Sequence, residues 1–289
     1  MIRIRTTPFL AWIKSLTVWS KGVALLFILS CTNGPSDDGS TPPNTESNTD
    51  DESTEVVVGG FSLQGVVHDV TTWTRTGGGL CLSAADTLPL AQGQDVTPNA
   101  STIVEADGTW LIEDIDMGST TGIVLLLETC SGDPTMFPTA TLIGPEVWSG
   151  KGPNDTVNGV EVFHIGLNQI EQWESGLTLG GNDLPLAETG AFIGHIEDLK
   201  GQHVSGGVVN GATSSAPFYD QGDNDWAKST GTVEEGDSRF AIPNAPYGNY
   251  TAKALGTDYM PIIVGGLPDY VLYHRWTAQI SDYGDESED

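Results

Sequence analysis

Short stretches of alternating apolar and polar residues, separated by turn residues, most restrict what this 289-residue chain can fold into. Phe61, Leu63 and Val67 alternate with other residues as one face of a strand does, and Trp110 and Ile112 do the same after a turn. Gly, Pro, Asn and Asp interrupt these stretches too often for long helices. The pattern predicts a mainly β protein of the sandwich class.

Two segments stand out from this pattern. The apolar run 123–127 predicts either a strand buried on both faces or a long inner strand. Leu167, Ile170 and Trp173 lie three residues apart, which predicts one short helix. This helix falls between two β-rich blocks.

The two blocks share a spaced pattern. Residues 65–69 correspond to residues 194–198 at an offset of 129, and residues 107–112 correspond to residues 237–242 at an offset of 130. A difference of one residue over such a distance indicates an internal repeat. The alternative is two unrelated β segments that use the same turn chemistry.

The second block carries the motifs of a known family. Its segments are 194–198 (Gly-His-Ile-Glu-Asp), 204–209 (Val-Ser-Gly-Gly-Val-Val), 239–246 (Arg-Phe-Ala-Ile-Pro-Asn-Ala-Pro) and 248–254 (Gly-Asn-Tyr-Thr-Ala-Lys-Ala). Together they resemble the carboxypeptidase regulatory-like domain, a transthyretin-like β-sandwich. The resemblance implies two tandem sandwich domains, 59–150 and 188–279, joined by a linker, 151–187, that contains the short helix. It implies a fold rather than an activity, because the motifs are strands and turns.

The N-terminal segment has a different composition. Residues 1–30 carry four basic residues and no acidic residue, and an apolar run follows at 22–29. This arrangement predicts an export signal. A run of eight residues is far shorter than the roughly 20 needed to cross a bilayer, which disfavours the alternative of a retained transmembrane helix.

The end of this signal carries a second motif. Residues 28–31 (Ile-Leu-Ser-Cys) resemble the lipobox of bacterial lipoproteins. The resemblance implies cleavage before Cys31, attachment of acyl chains to Cys31, and durable membrane anchoring, since more than one chain is attached. Thr32, in place of Asp, favours the outer membrane, with the periplasmic or surface face left open. The alternative is a secreted protein with a chance cysteine.

Residues 31–58 are polar and acidic, which predicts a disordered tether after the lipidated cysteine, and residues 280–289 form an acidic tail. Removal of the signal leaves 7 of the 11 basic residues against 39 acidic ones, a net charge of −32. Such a chain repels nucleic acid. The expected partners are the membrane, through the lipid anchor, and glycans or envelope proteins.

Cys81 and Cys130 remain once Cys31 is lipidated. Both lie in strand-like stretches, and an exported protein meets an oxidising environment. The pair predicts a disulfide, with two buried free thiols as the alternative.

No motif of a known enzyme class is present. The chain has neither H-E-x-x-H nor G-x-S-x-G. His195, Glu197 and His203 lie close in sequence but lack the helical spacing of a zinc site, and we expect His195 and Glu197 to form a surface pair. The chain is therefore predicted to be no enzyme and to need no cofactor, with a hydrolase of unrecognised type as a less favoured alternative.

The loop 220–226 is the strongest candidate for a site. Asp220, Asp223 and Asp225 could supply oxygen ligands to calcium, although a solvated turn has the same composition. The aromatic residues around this loop suit stacking on sugar rings or, alternatively, packing in the core. They are Phe218, Tyr219 and Trp226.

These observations predict a membrane-anchored lipoprotein of the cell envelope that acts as a non-enzymatic binding or spacer module. The alternative is a carbohydrate-binding or calcium-stabilised adhesive protein.

Overall fold

The computed structural model describes residues 60–91, 94–115, 122–131, 134–211, 216–229, 231–233 and 236–278. The predicted signal, Cys31, the tether and the acidic tail lie outside these residues and stay predictions. The described part contains no helix that is both long and apolar enough to cross a membrane.

Strands dominate the described residues, which confirms the prediction of a mainly β fold. In the first half of the chain the strands are β1 (Phe61–Asp69), β2 (Leu80–Asp86), β3 (Pro98–Ile103), β4 (Thr109–Ile115), β5 (Ile123–Thr129), β6 (Met136–Phe137), β7 (Thr139–Ile143) and β8 (Thr156–Gly166). In the second half they are β9 (Ala191–Glu197), β10 (Val208–Gly211), β11 (Phe218–Asp220), β12 (Trp226–Ala227), β13 (Arg239–Pro243), β14 (Gly248–Ala254), β15 (Thr257–Asp258), β16 (Ile262–Val264) and β17 (Val271–Thr277). The helices are α1 (Leu88–Ala91), α2 (Leu167–Leu179) and α3 (Leu186–Thr189), with a 3-10 turn at Pro145–Val147.

The strands form three sheets. A nine-stranded sheet has the order β12-β11-β13-β9-β17-β7-β5-β2-β3 and runs through both halves of the chain. A four-stranded sheet, β4-β1-β8-β6, belongs to the first half. The remaining sheet, in which β14 pairs with β10, β15 and β16, belongs to the second half.

The long sheet is the central layer of the sandwich. Alternate residues of β5 face opposite ways: Leu125 packs in a core with the first-half sheet, and Val124 packs in a core with the second-half sheet. All of Ile123–Leu127 is buried, as the sequence predicted for a strand covered on both faces. The helix α2 covers the long sheet on the same face as the first-half sheet, over Ile193 and Tyr273.

The spaced sequence pattern corresponds to a repeated strand pairing. In the first half Gly65 lies opposite Trp110 in an antiparallel pair, and in the second half Gly194 lies opposite Phe240 in the same way. A Cβ atom on Gly65 would lie 1.8 Å from the carbonyl oxygen of Val160, and one on Gly194 would lie 2.0 Å from that of His274. These contacts with the parallel neighbour, together with the facing ring, explain the choice of glycine. The first strand of each motif also pairs in parallel with a later strand, β1 with β8 and β9 with β17.

The segment 151–187 contains the predicted helix, which is α2, and also the strand β8, which the sequence analysis did not predict. The sequence of residues 156–166 did not indicate a strand, because only part of the strand is buried and its apolar residues do not alternate regularly. The strand pairs along most of its length with β1. The residues expected to link two domains therefore belong partly to the first-half sheet.

The predicted disulfide between Cys81 and Cys130 is confirmed. It joins β2 to the end of β5, two neighbouring strands of the long sheet, and spans 49 residues of sequence. By the chain-entropy argument a loop of this size contributes about 4 kcal/mol to the free energy of unfolding.

Candidate functional site

A cluster of three polar side chains, His195, Glu197 and His203, lies at the end of β9. Each side chain offers one nitrogen or oxygen atom, and these three atoms lie within 4.8 Å of one another. Among the described residues, this is the one group of histidine, cysteine and acidic residues close enough to hold a metal ion together. We call it the His195 cluster.

Strand geometry and one tight turn assemble the His195 cluster. His195 and Glu197 are two residues apart on β9 and therefore share a face of the sheet. The chain then reverses, and His203 returns as the antiparallel partner of Glu197. Asp198 holds the turn by accepting hydrogen bonds from the main-chain N–H groups of Lys200 and Gln202.

The ring nitrogens of the two histidines have different partners. Nε2 of His195 lies 2.8 Å from a carboxylate oxygen of Glu197, and Nδ1 lies 3.0 Å from the hydroxyl of Tyr273. Nδ1 of His203 lies 3.5 Å from a carboxylate oxygen of Asp237. Nδ1 of each imidazole thus has a polar neighbour, and His195 has a second one at Nε2.

The cluster is largely enclosed. His195 and Glu197 are 1% and 5% exposed, while His203 is partly open to solvent. The indole of Trp73 stands edge-on to the His195 ring at a centroid distance of 4.7 Å. Trp73 has a φ of 55°, a left-handed conformation that is uncommon for a bulky residue.

Burial and charge set the protonation of the pair. Burial lowers the pKa of His195, and its contact with Glu197 opposes this shift only in part. Burial raises the pKa of Glu197, but the hydrogen bond with His195 and the charge of Arg275 outweigh it and hold the pKa below its usual value. We conclude that His195 is neutral and Glu197 is ionised at neutral pH.

The expectation of a surface pair between His195 and Glu197 is wrong. The pair is buried, because the turn at 198–202, Trp73 and Tyr273 cover it. The three residues do not have the helical spacing of zinc ligands. Their signal in the sequence is instead a spacing of two residues along a strand, followed by a hairpin turn with an acidic residue at its start.

A cavity of about 660 Å³ lies close to the cluster, where β7 and β17 separate. These strands are parallel neighbours, but they pair only through Val271 with Thr139 and Leu272 with Ala140. Beyond that point the cavity opens between the strands. Its walls are the ends of β7 and β17, part of β8 and the segment Met260–Ile263.

The two strand edges that face this cavity have main-chain groups beyond the last residue pair of β7 and β17. Val271 donates its N–H toward β7, to Pro138, whereas Ala278 donates its N–H toward β9, to Glu197. Main-chain groups alternate in direction along a strand, so Arg275 and Thr277 direct theirs toward β7. Both residues lie beyond Leu272, the last residue of β17 that pairs with β7.

One buried side chain of the cavity wall also lacks a partner. The hydroxyl of Thr141 on β7 is buried and makes no hydrogen bond within the part of the chain that the structure describes. A buried hydroxyl without a partner costs about 1–3 kcal/mol. The cavity therefore presents both main-chain and side-chain groups that a bound molecule could satisfy.

The predicted calcium ligands do not come together. Asp220 is fully buried and forms an ion pair with Arg239, and it also accepts a hydrogen bond from the N–H of Gly222. Asp223 and Asp225 are exposed, and the three carboxylates do not form a group close enough to share an ion. Burial raises the pKa of Asp220, and Arg239 offsets this in part.

The aromatic residues proposed for sugar stacking are buried. Phe218, Tyr219 and Trp226 are 3%, 2% and 1% exposed, so their ring faces are not available to a ligand. Trp226 packs edge-on against Trp173 of α2, and the Tyr219 hydroxyl accepts a hydrogen bond from the main chain of Val209. The alternative of core packing describes them correctly.

Two histidines with lowered pKa values predict acid-sensitive stability. Desolvation also lowers the pKa of His274, a half-buried residue of the cavity wall, to about 3. The unfolded chain gains protons on both histidines near pH 6.5, whereas the folded chain gains them at lower pH, so the free energy of unfolding falls as the pH drops from 7.5 to 5.5. Each such histidine contributes at most about 1.4 kcal/mol per pH unit.

Urea unfolding at both pH values measures this loss. We expect His195→Gln to reduce the pH dependence without abolishing it, since His274 still contributes. An unchanged dependence in His195→Gln would show that folding does not lower the pKa of His195.

No protein-family model and no curated protein matches the sequence. Among solved structures, the chain is distantly similar to the shaft pilin SpaA of Lactobacillus rhamnosus GG, with 8% identity over 76% of this chain and 97% of that one and a TM-score of 0.23. The Bacillus anthracis TIE protein gives 11% identity, 75% and 34% coverage and a TM-score of 0.21. A streptococcal ancillary pilin gives 11% identity, 76% and 63% coverage and a TM-score of 0.23. These scores do not establish a common fold.

Proposed function

We propose that the protein is a lipid-anchored, non-enzymatic binding module of the cell envelope, most simply at the outer membrane. The lipobox-like residues before Cys31 support the anchor, and the basic signal without acidic residues supports export. The disulfide between Cys81 and Cys130 agrees with an oxidising compartment. The folded part then stands outside the cytoplasm on an acidic tether.

The folded part, on this proposal, binds an extended segment of another envelope protein. The observation that carries the proposal is the cavity between β7 and β17, which interrupts the long sheet and leaves strand edges open. An extended peptide placed there would pair its main chain with Arg275 and Thr277 on one side and with Leu142 on the other. A volume of about 660 Å³ is within the usual range for a ligand site.

A peptide fits this cavity better than a glycan does. A glycan needs exposed aromatic faces and many polar groups, whereas the aromatic residues proposed for this role are buried. The cavity walls are largely apolar, with Ile143, Ile262 and Ile263 among them. Apolar walls with open main-chain edges suit a segment whose side chains alternate between apolar and polar.

Metabolic labelling with palmitate tests the anchor. We expect the full chain, expressed in a bacterium, to carry the label and to sediment with membranes. Cys31→Ser should lose the label, because the acylated sulfur is gone. The double variant Cys81→Ser/Cys130→Ser serves as the matched control and should keep the label. Equal labelling of wild type and Cys31→Ser would contradict the anchor.

Selection of short random peptides against the full chain, purified in detergent, tests the cavity. We expect enrichment of alternating apolar and polar sequences. N-methylation of a central peptide amide should weaken binding about tenfold or more, because it removes a main-chain hydrogen bond and adds bulk at the strand edge. N-methylation at the peptide ends is the control.

Two surface variants locate the binding. Ile263 lines the cavity and Leu255 does not, although both are exposed apolar residues of the second-half sheet region. Ile263→Glu should weaken binding and Leu255→Glu should not. Peptides that tolerate central N-methylation, or an equal effect of both variants, would contradict strand insertion at this cavity.

A further inference from the structure

The geometry points to a zinc site formed by His195, Glu197 and His203, which is independent of the peptide cavity proposed above. Two imidazole nitrogens and one carboxylate oxygen form one of the ligand sets that zinc uses in proteins. The three donor atoms lie within 4.8 Å of one another. Donors on a tetrahedral zinc ion are about 3.3 Å apart, so small movements of the side chains are sufficient.

The surrounding groups suit a metal site. Metal-binding histidines are normally oriented through the ring nitrogen that does not bind the ion. Nδ1 of His195 faces the hydroxyl of Tyr273, and Nδ1 of His203 faces the carboxylate of Asp237. This leaves Nε2 of both rings for the ion. In the metal-free arrangement Nε2 of His195 contacts Glu197 instead, and zinc would replace that contact.

The charge of the cluster also suits a divalent cation. Ion pairs and close contacts connect it to Arg275, Arg239, Glu161, Asp237 and Asp220. This network contains four carboxylates and two guanidinium groups, so acidic groups outnumber basic ones. A divalent cation reduces that excess.

The position of each ligand suggests how the ion enters and what it does. Two of the ligands are buried on β9, whereas His203 is partly exposed and follows the turn at 198–202. Zinc would therefore enter past His203. Once bound, it would fix the turn to the strand, leaving one coordination position for water or another ligand.

Titration of zinc sulfate into the chelator-treated full chain, in detergent and followed by calorimetry, tests the inference. We expect one equivalent to bind with micromolar or tighter affinity and to raise the melting temperature. His203→Ala should weaken binding at least 100-fold. His164→Ala is the matched control, because His164 also contacts a carboxylate, Asp69, but has no third ligand in the group. The control should bind zinc like the wild type.

A measurement on the wild type covers the case in which the variant does not fold. One equivalent of zinc should shift the ring signals of His195 and His203 in nuclear magnetic resonance spectra and leave those of His164 unchanged. Absence of binding at millimolar zinc, or binding that shifts other histidines instead, would overturn the assignment.

Discussion

The main chains of Val271 and Leu272 hold the two halves of the long sheet together, because β17 pairs there with β7 on one side and β9 on the other. β7 belongs to the first half of the chain and β9 to the second, so this short contact converts two sheets into one. The core on one face of the long sheet depends on this pairing of β7 with β17. That core combines Val124, Leu126 and Ala140 of the first half with residues of the second.

The same contact explains where the candidate sites lie. Since β7 and β17 pair over so few residues, they diverge afterwards and open the cavity. Arg275 on β17 lies at the cavity wall, and its guanidinium also contacts Glu161 on β8 and Glu197 in the His195 cluster. The cavity and the cluster are thus neighbours on one strand, although their proposed ligands differ.

Sequence patterns predicted what depends on local spacing. The alternation in β1, the doubly buried β5 and the helix α2 follow directly from the periodicity of apolar residues, and the spaced repeat corresponds to equivalent glycine and aromatic pairs. The parallel pairings were not predictable, since a parallel partner is distant in sequence and leaves no local pattern. The joining of the halves through β17 therefore could not be found from the sequence.

For the candidate sites too, the sequence indicates local spacing but not the contacts between distant residues. The loop 220–226 was chosen for its composition, but composition does not reveal that Arg239 pairs with Asp220 or that Trp226 packs against α2. The His195 cluster does not match the helical spacing of zinc ligands, because its residues follow strand geometry. Its burial depends on Trp73 and Tyr273, which lie far away in the sequence. The local part of its pattern, a histidine and an acidic residue two apart on a strand, then a turn and a histidine, is visible in the sequence.

Because the long sheet runs through both halves of the chain, we expect the described residues to unfold as one cooperative unit. Differential scanning calorimetry of the full chain, with the disulfide intact, tests it most directly. A single transition with equal calorimetric and van't Hoff enthalpies is expected, since two of the three cores combine residues of both halves. Two separate calorimetric transitions would contradict the account.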